Sequence, residues 1–437
     1  MRDPMTQSFN TTDYSIYLPA VNTGYANFLT KQIPANRPFP AGLAIEDFCI
    51  WNKSSKLFYH PYLLHSIGNF SAMSTVNNSI TQAATGDFTL VGDSGGYQIG
   101  SGALKGVAGF RKGMSAKAAI AKWQAAHDVR KWIVSWLDTY TDYAMTIDMP
   151  LWALDPKQGK NSPFHKCTAQ EMLDMTIENL KFIDLYGRKR TKWLNVIQGT
   201  DQQTTIDWWN GVKDFKCSGY AIGAGGEGGL AQVIRTTRMM HEQGYLGDGH
   251  DWIHALGVST PVWAIIFTKI QNCLRKTNPK LTISYDSSSP FQTAGKFEAP
   301  NFTVPFTNKV SSWSIKTGKS KDIQRFSYIG SKDPFPYNSP LGQVMQLGHI
   351  NVREKPFGKK QFDTISNMLL TNHNIWVYLD AFERANDAVF KDPQRSNVPQ
   401  KYIDALDVID EVFVTANWPA LLTKHKDVLD AVSPSQY

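Results

Sequence analysis

The sequence predicts an α/β fold: a parallel (β/α)8 TIM barrel with insertions and a helical C-terminal region. Three observations carry this expectation. Short β-forming runs alternate with helical stretches over most of the 437 residues, the rhythm of successive βα units. Many of these runs end in a polar residue or glycine, at Asp93, Asp148, Gln198, Gly223, Gly257 and Asp286, as where barrel strands deliver functional groups to one rim. A hydrophobic content of 42%, with 12% aromatic residues, is ample for a buried core. A doubly wound open sheet is the alternative architecture for the same alternation.

The elements follow in order. Ser15 to Val21 reads as a first strand, ended by Asn22-Thr23-Gly24. The apolar run Leu43 to Trp51 contains Glu46 and Asp47, which leaves its class open. Pro61 to about Ala84 has helical spacing. Phe88 to Val91 is a buried strand that delivers Asp93 to the tight loop Ser94-Gly95-Gly96. Ser115 to Thr139 is one long helix or a broken pair. Ala144 to Asp148 is a strand stopped by Met149-Pro150, and Thr168-Ala169-Gln170-Glu171 is a capping box opening a helix to about Tyr186. Trp193 to Ile197 leads to Gln198-Gly199, with Asp201 capping the next helix. Tyr220 to Ile222 leads into the glycine-rich run from Gly223 to Gly229, and a helix follows from Leu230 to Gln243. Ile253 to Leu256 leads to Gly257, with Thr260-Pro261 as N-cap and first residue of a helix to Lys276. Leu281 to Tyr285 is the last strand, ending at Asp286. Beyond it, Asn374 to Ala388 and Lys401 to Ala416 are the clearest helices.

Charge and cysteine usage bound the class of protein. Forty-five basic against 38 acidic residues give a net charge of +7, an excess that suits an anionic partner or simply a basic enzyme. Cys49, Cys167, Cys217 and Cys273 lie far apart with no metal-type pair, which points to a reducing compartment. The start Met1-Arg2-Asp3-Pro4 has no apolar signal region and no stretch reaches the length of a membrane span, so a cytoplasmic protein with no membrane partner is expected.

Three carboxylates, Asp93, Asp148 and Asp286, would share one pocket with Gln198 and a floor of glycine backbone. That set suits chemistry at a sugar carbon: one carboxylate attacks, another exchanges a proton with the departing base, and a third pairs with the N–H groups of a heterocycle. Like charges this close would push at least one pKa upward. The glycine-rich run lacks the Lys-Ser/Thr of a phosphate-binding P-loop.

The motifs Asp93-Ser94-Gly95-Gly96-Tyr97-Gln98, Ile147-Asp148, Val196-Ile197-Gln198-Gly199, Gly219-Tyr220-Ala221-Ile222-Gly223, Leu256-Gly257-Val258-Ser259-Thr260-Pro261 and Tyr285-Asp286 resemble, in order, the strand-end motifs of the tRNA-guanine transglycosylase superfamily. The resemblance runs from about Ile16 to Gln292. It implies a pentosyltransferase that exchanges guanine in a polynucleotide for a free 7-deazaguanine base through a covalent sugar-enzyme intermediate. By position it implies Asp286 as nucleophile and Asp93 as acid/base. It further implies that Ser94, Asp148 and Gln198 bind the base, that Gly223, Ala224 and Gly225 form the pocket wall, and that Leu256 and Gly257 pack on the ring.

The departures from the family shape the rest of the expectation. Members acting on tRNA carry a structural zinc on three cysteines and a histidine. His373 falls in the segment resembling that histidine, but no cysteine lies between Pro334 and His349. A zinc site needs about four ligands, so no metal and no cofactor are expected. The loss is closest to the DNA-acting, DpdA-type branch found in bacteria and phages, and the expected activity is guanine exchange in DNA for a base such as 7-cyano-7-deazaguanine. Exchange in tRNA is the first alternative, and a non-catalytic nucleic-acid-binding partner subunit the second; a homodimer is possible for this superfamily. The expected organisation is a catalytic barrel over 1–295, a basic irregular segment over 296–360 and a helical region over 361–437 packing on the barrel. In the middle segment Lys316, Lys319, Lys321, Arg325, Arg353, Lys355, Lys359 and Lys360 interleave with Trp313, Phe326 and Tyr328. That pattern either tracks phosphates and stacks on bases or is a solvated connection.

Overall fold

The structure, a computed structural model, describes residues 8–70, 78–83, 86–187, 190–223, 229–296, 298–301, 306–353 and 362–433. Eight parallel strands form a closed barrel in chain order. They are β1 (Ile16–Val21), β2 (Tyr62–Ser66), β3 (Thr89–Asp93), β4 (Tyr143–Met145), β5 (Lys192–Ile197), β6 (Gly219–Gly223), β7 (Trp252–Leu256) and β8 (Thr282–Ser287). Closure comes from pairing of β1 with β8, which sets Leu18 opposite Asp286, so the open-sheet alternative does not hold.

The two-residue period of the strands separates two cores. Ile16, Leu18, Leu64, Val91, Met145, Leu194, Val196, Ala221 and Trp252 fill the barrel. Alternate residues such as Tyr17, Leu63, Leu90, Ala144, Ile222, Ile253 and Ile283 join the larger core between strands and helices. The same inward parity, continued along β3, β6 and β7, reaches Asp93, Gly223 and Leu256, and on β8, where Ile283 and Tyr285 face the outer core, the inward row reaches Asp286. On β5 it reaches Gln198, just past the strand.

Two early segments differ from expectation. The second strand, Tyr62–Ser66, lies inside the stretch whose spacing reads as helical. Its sequence Tyr-Leu-Leu-His-Ser packs on both faces, so it lacks the polar/apolar alternation that marks a strand. Leu43 to Trp51 holds only a short 3-10 turn, Ile45–Phe48, and Asp47 is used there to accept the Ala44 N–H at 2.8 Å. Ser115 to Thr139 is the broken pair, with helices Ala116–Gln124 and His127–Tyr140. The Thr168 capping box forms: the Glu171 N–H donates to Thr168 Oγ1 at 3.1 Å and the Thr168 N–H to Glu171 Oε2 at 2.7 Å. Asp201 and Thr260 cap the helices Gln202–Val212 and Pro261–Leu274.

Of the 14 residues in Pro261–Leu274, 13 are buried. The cover is supplied by two C-terminal helices, Thr364–Phe390 and Gln400–Val414, which both pack against it. The first also ties down the chain leaving the barrel. Its Asn374 Nδ2 donates to the Pro290 and Glu298 carbonyls at 3.0 and 3.2 Å, and its Asn367 Nδ2 donates to the Ala294 carbonyl at 2.6 Å.

The basic segment carries a small antiparallel ribbon, β9 (Ala299–Asn301) with β10 (Lys316–Gly318). Trp313 does not offer a stacking surface. It is 1% exposed and packs edge-on to Phe306 and Tyr402, because a large apolar ring beside the C-terminal helices gains more from burial than from display. Phe326 is exposed, with the Arg353 guanidinium 4.3 Å above its ring. Lys355, Lys359 and Lys360 lie outside the described residues.

Candidate active site

A pocket of about 870 Å3 opens at the C-terminal rim of the barrel, lined among others by Asp93, Asp148, Gln198, Gly223, Leu256, Gly257 and Asp286. Seven of the ten residues named from sequence therefore meet in one cavity. Ser94 does not line it: following inward-facing Asp93, it points the other way, is 1% exposed and donates through Oγ to the Thr146 carbonyl at 3.2 Å. It ties the end of β3 to the end of β4. Ala224 and Gly225 lie outside the described residues.

Asp93 closes β3, opposite Ser66 of β2. Burial pushes its carboxyl above the usual carboxylate range and the nearby Asp286 charge adds to the shift, while hydrogen bonds from Ser66 and from the Gly95 N–H at 3.2 Å oppose it. Two glycines in the loop that follows sit at close approaches, and the first also needs a left-handed backbone. Gly95 has φ +81° and a Cβ there would lie 3.2 Å from the Gly68 Cα; a Cβ on Gly96 would lie 3.3 Å from Asp148 Oδ1. The tight loop brings these two acids together.

Asp148 reaches the pocket by a different route. Strand β4 ends at Met145, which belongs to the barrel interior, but Ile147 joins the outer core. The chain has changed phase by then, and the next residue, Asp148, turns inward. Asp148 is 5% exposed, and burial pushes its pKa up to about 7, with the Asp93 charge adding. Gln198 opposes that shift by donating its Nε2–H to Asp148 Oδ2 at 2.6 Å.

Asp286 ends the inward row of β8. Its Oδ1 accepts the Gly257 N–H at 2.9 Å and lies 3.2 Å from His254 Nε2. At the mouth, Tyr97 is 69% exposed and stacks on Trp152, with ring centroids 5.3 Å apart and planes 25° from parallel. Both rings line the pocket. Thr200, Thr205, Gln232 and Thr236 extend it outward with neutral polar groups.

Four contributors escaped the sequence reading. Ser66 sits in the misread second strand. His254 and Ser284 stand two residues before Leu256 and Asp286, so the two-residue period carried a signal for both. Trp152 follows β4 by several residues and nothing local marks it as a partner of Tyr97.

The metal question rests on His373. It is fully buried in the helix Thr364–Phe390, its Nδ1 is 2.8 Å from Ser339 Oγ, and its ring packs against Phe335 and Tyr337. Among the described residues, no three His, Cys, Asp or Glu side chains cluster in a way that could hold a metal ion, and none of the helices there is long and apolar enough to cross a membrane. No protein-family model and no curated protein matches this chain.

Proposed function

We propose that this protein is a base-exchange glycosyltransferase that replaces guanine in DNA with a free 7-deazaguanine such as 7-cyano-7-deazaguanine. The observation that carries the reading is the meeting of Asp93, Asp148 and Asp286, in unequal surroundings, at one pocket. Carboxylates whose environments differ can divide the roles of nucleophile, proton carrier and reader.

In the proposed reaction Asp286 Oδ2 attacks C1′ of the target nucleotide. The C1′–N9 bond breaks, its electron pair goes to N9, and Asp93 delivers a proton there as guanine leaves. The incoming base returns its N9 proton to Asp93 and displaces Asp286 from C1′. One glycosidic bond is broken and one formed, so no nucleotide triphosphate is consumed. Asp148 suits the edge of a guanine-like ring. Near pH 7 it is poised between acid and carboxylate, and the arriving ring N–H donors favour the carboxylate. A pocket of about 870 Å3 has room for a base with its sugar, and exposed Tyr97 offers a flat face at the mouth. A base taken from DNA must first leave its stack.

The test offers the purified protein labelled 7-cyano-7-deazaguanine with separate DNA and tRNA acceptors. Label should enter DNA, and Asp286→Ala should lose both exchange and any denaturation-resistant adduct while retaining polynucleotide binding. Label in tRNA alone would move the activity to RNA, and label in neither would overturn the enzymatic reading in favour of a binding subunit.

A further inference from the structure

We propose that His254 is a positioning residue for Asp286, gripping one carboxylate oxygen so that the other is presented to the sugar carbon. The inference rests on the reading of Asp286 as nucleophile. His254 lies in the middle of β7 and is fully buried. Its Nε2 is 3.2 Å from Asp286 Oδ1 and its Nδ1 is 2.9 Å from Ser284 Oγ. Trp252 Nε1–H donates to the same Ser284 oxygen at 2.7 Å. Pairing of β7 with β8 sets His254 directly opposite Ser284, so the four side chains form a ladder across two strands that leads to the carboxylate.

The carboxylate sets the proton that faces it: an ionised Asp286 only accepts, so His254 Nε2 carries a hydrogen. An indole nitrogen only donates, so Ser284 Oγ accepts from Trp252 and can give its own hydrogen to Nδ1 of a neutral ring. A neutral ring held that way carries its proton on Nε2 and donates it to Asp286. A doubly protonated ring would donate from Nδ1 to Ser284 Oγ and still donate from Nε2 to Asp286. Either form presents the same donor to Oδ1, which also receives the Gly257 N–H.

Among the described residues, both hydrogen bonds to Asp286 fall on Oδ1, and the residue lines the pocket. Two donors converging on one oxygen stop rotation of the carboxylate and leave Oδ2 aimed at the cavity. Holding a nucleophile in its attacking orientation lowers the entropy lost on the way to the transition state. His254 touches no substrate in this arrangement and acts only through Asp286.

Two measurements on the full-length chain test this. In protein labelled with 15N-histidine, the His254 signal, identified by its loss in His254→Gln, should report a proton on Nε2 that shifts in Asp286→Asn. A proton on Nδ1 with Nε2 bare, or a signal indifferent to Asp286→Asn, overturns the proposal. The second measurement is the single-turnover rate of adduct formation on DNA. His254→Gln offers an amide N–H near the position of Nε2 and should stay within a few-fold of wild type, whereas His254→Phe keeps bulk without a donor. The Phe variant should slow adduct formation roughly 10- to 100-fold, with binding of the free base unchanged. Equal losses in both variants, accompanied by a lowered melting temperature, would mean that His254 only packs. A reactive wild type with His254→Phe at full rate would overturn the role alone. An unreactive wild type that keeps the Nε2 proton signal would overturn the nucleophile reading and this role with it.

Discussion

At the scale of single residues, the buried acids couple chemistry to stability. The Asp148 carboxyl ionises near pH 7 in the folded protein, against the ordinary 3.8. The folded state therefore binds an additional proton between those values. The stability this group contributes is complete below about pH 4 and is lost as pH rises through about 7. Asp148→Asn removes the titration, so the variant should gain stability relative to wild type between pH 5 and pH 8. The gain between those two pH values is limited to about 3 kcal/mol, read from denaturant melts at each. A difference between the two proteins that does not change with pH would show that Asp148 is ionised throughout. Gly95 allows a simpler test. With φ +81° and the Gly68 backbone 3.2 Å from the place of a Cβ, Gly95→Ala should cost about 1–3 kcal/mol. It should also weaken base exchange, since Asp93 and Asp148 flank the loop; an unchanged midpoint of urea unfolding would show that the loop relaxes freely.

At the scale of elements, legibility depended on whether the signal was local. The Thr168 capping box could be read from four letters because all its hydrogen bonds lie within one turn. Thr168→Ala should lower stability by about 1 kcal/mol without changing activity, and equal unfolding midpoints would mean that solvent replaces the cap. The ends of β3 and β8 were legible for a related reason: a run of β-formers that stops at an acid is visible in sequence. Strand β2 was not legible, since neither of its faces meets water. The phase change between Met145 and Asp148 was also hidden. It depends on contacts such as the Asn179 Nδ2–H donated to the Ile147 carbonyl at 3.3 Å, from a helix more than thirty residues away in the chain.

At the scale of the molecule, the barrel and the C-terminal helices share one hydrophobic core that runs from Tyr17 to Val432. Pro261–Leu274 is buried on nearly all sides because Thr364–Phe390 and Gln400–Val414 cover the side turned away from the strands. A chain ending at residue 361 would expose that side, and each large apolar side chain uncovered forfeits roughly 1.5–3 kcal/mol. The truncated protein should aggregate or melt well below the full chain, checked by size-exclusion chromatography and calorimetry. A soluble fragment with an unchanged melting temperature would show that the barrel stands alone.

Legible in the sequence were the strand–helix alternation that predicts a barrel, most of the strands, the caps at Thr168, Asp201 and Thr260, and the acids at the ends of β3 and β8; closure of the barrel came from pairing of β1 with β8. The legible features follow from local periodicity and from turn chemistry, which neighbouring residues carry among themselves. Tertiary structure decided which groups share a pocket and which oxygen of Asp286 is held. It turned Ser94 away from the cavity, buried Trp313 and set His254 against Asp286. Each outcome depends on pairing between strands or packing between distant segments; local periodicity can show which way a side chain such as His254 faces, but not which distant residue it meets.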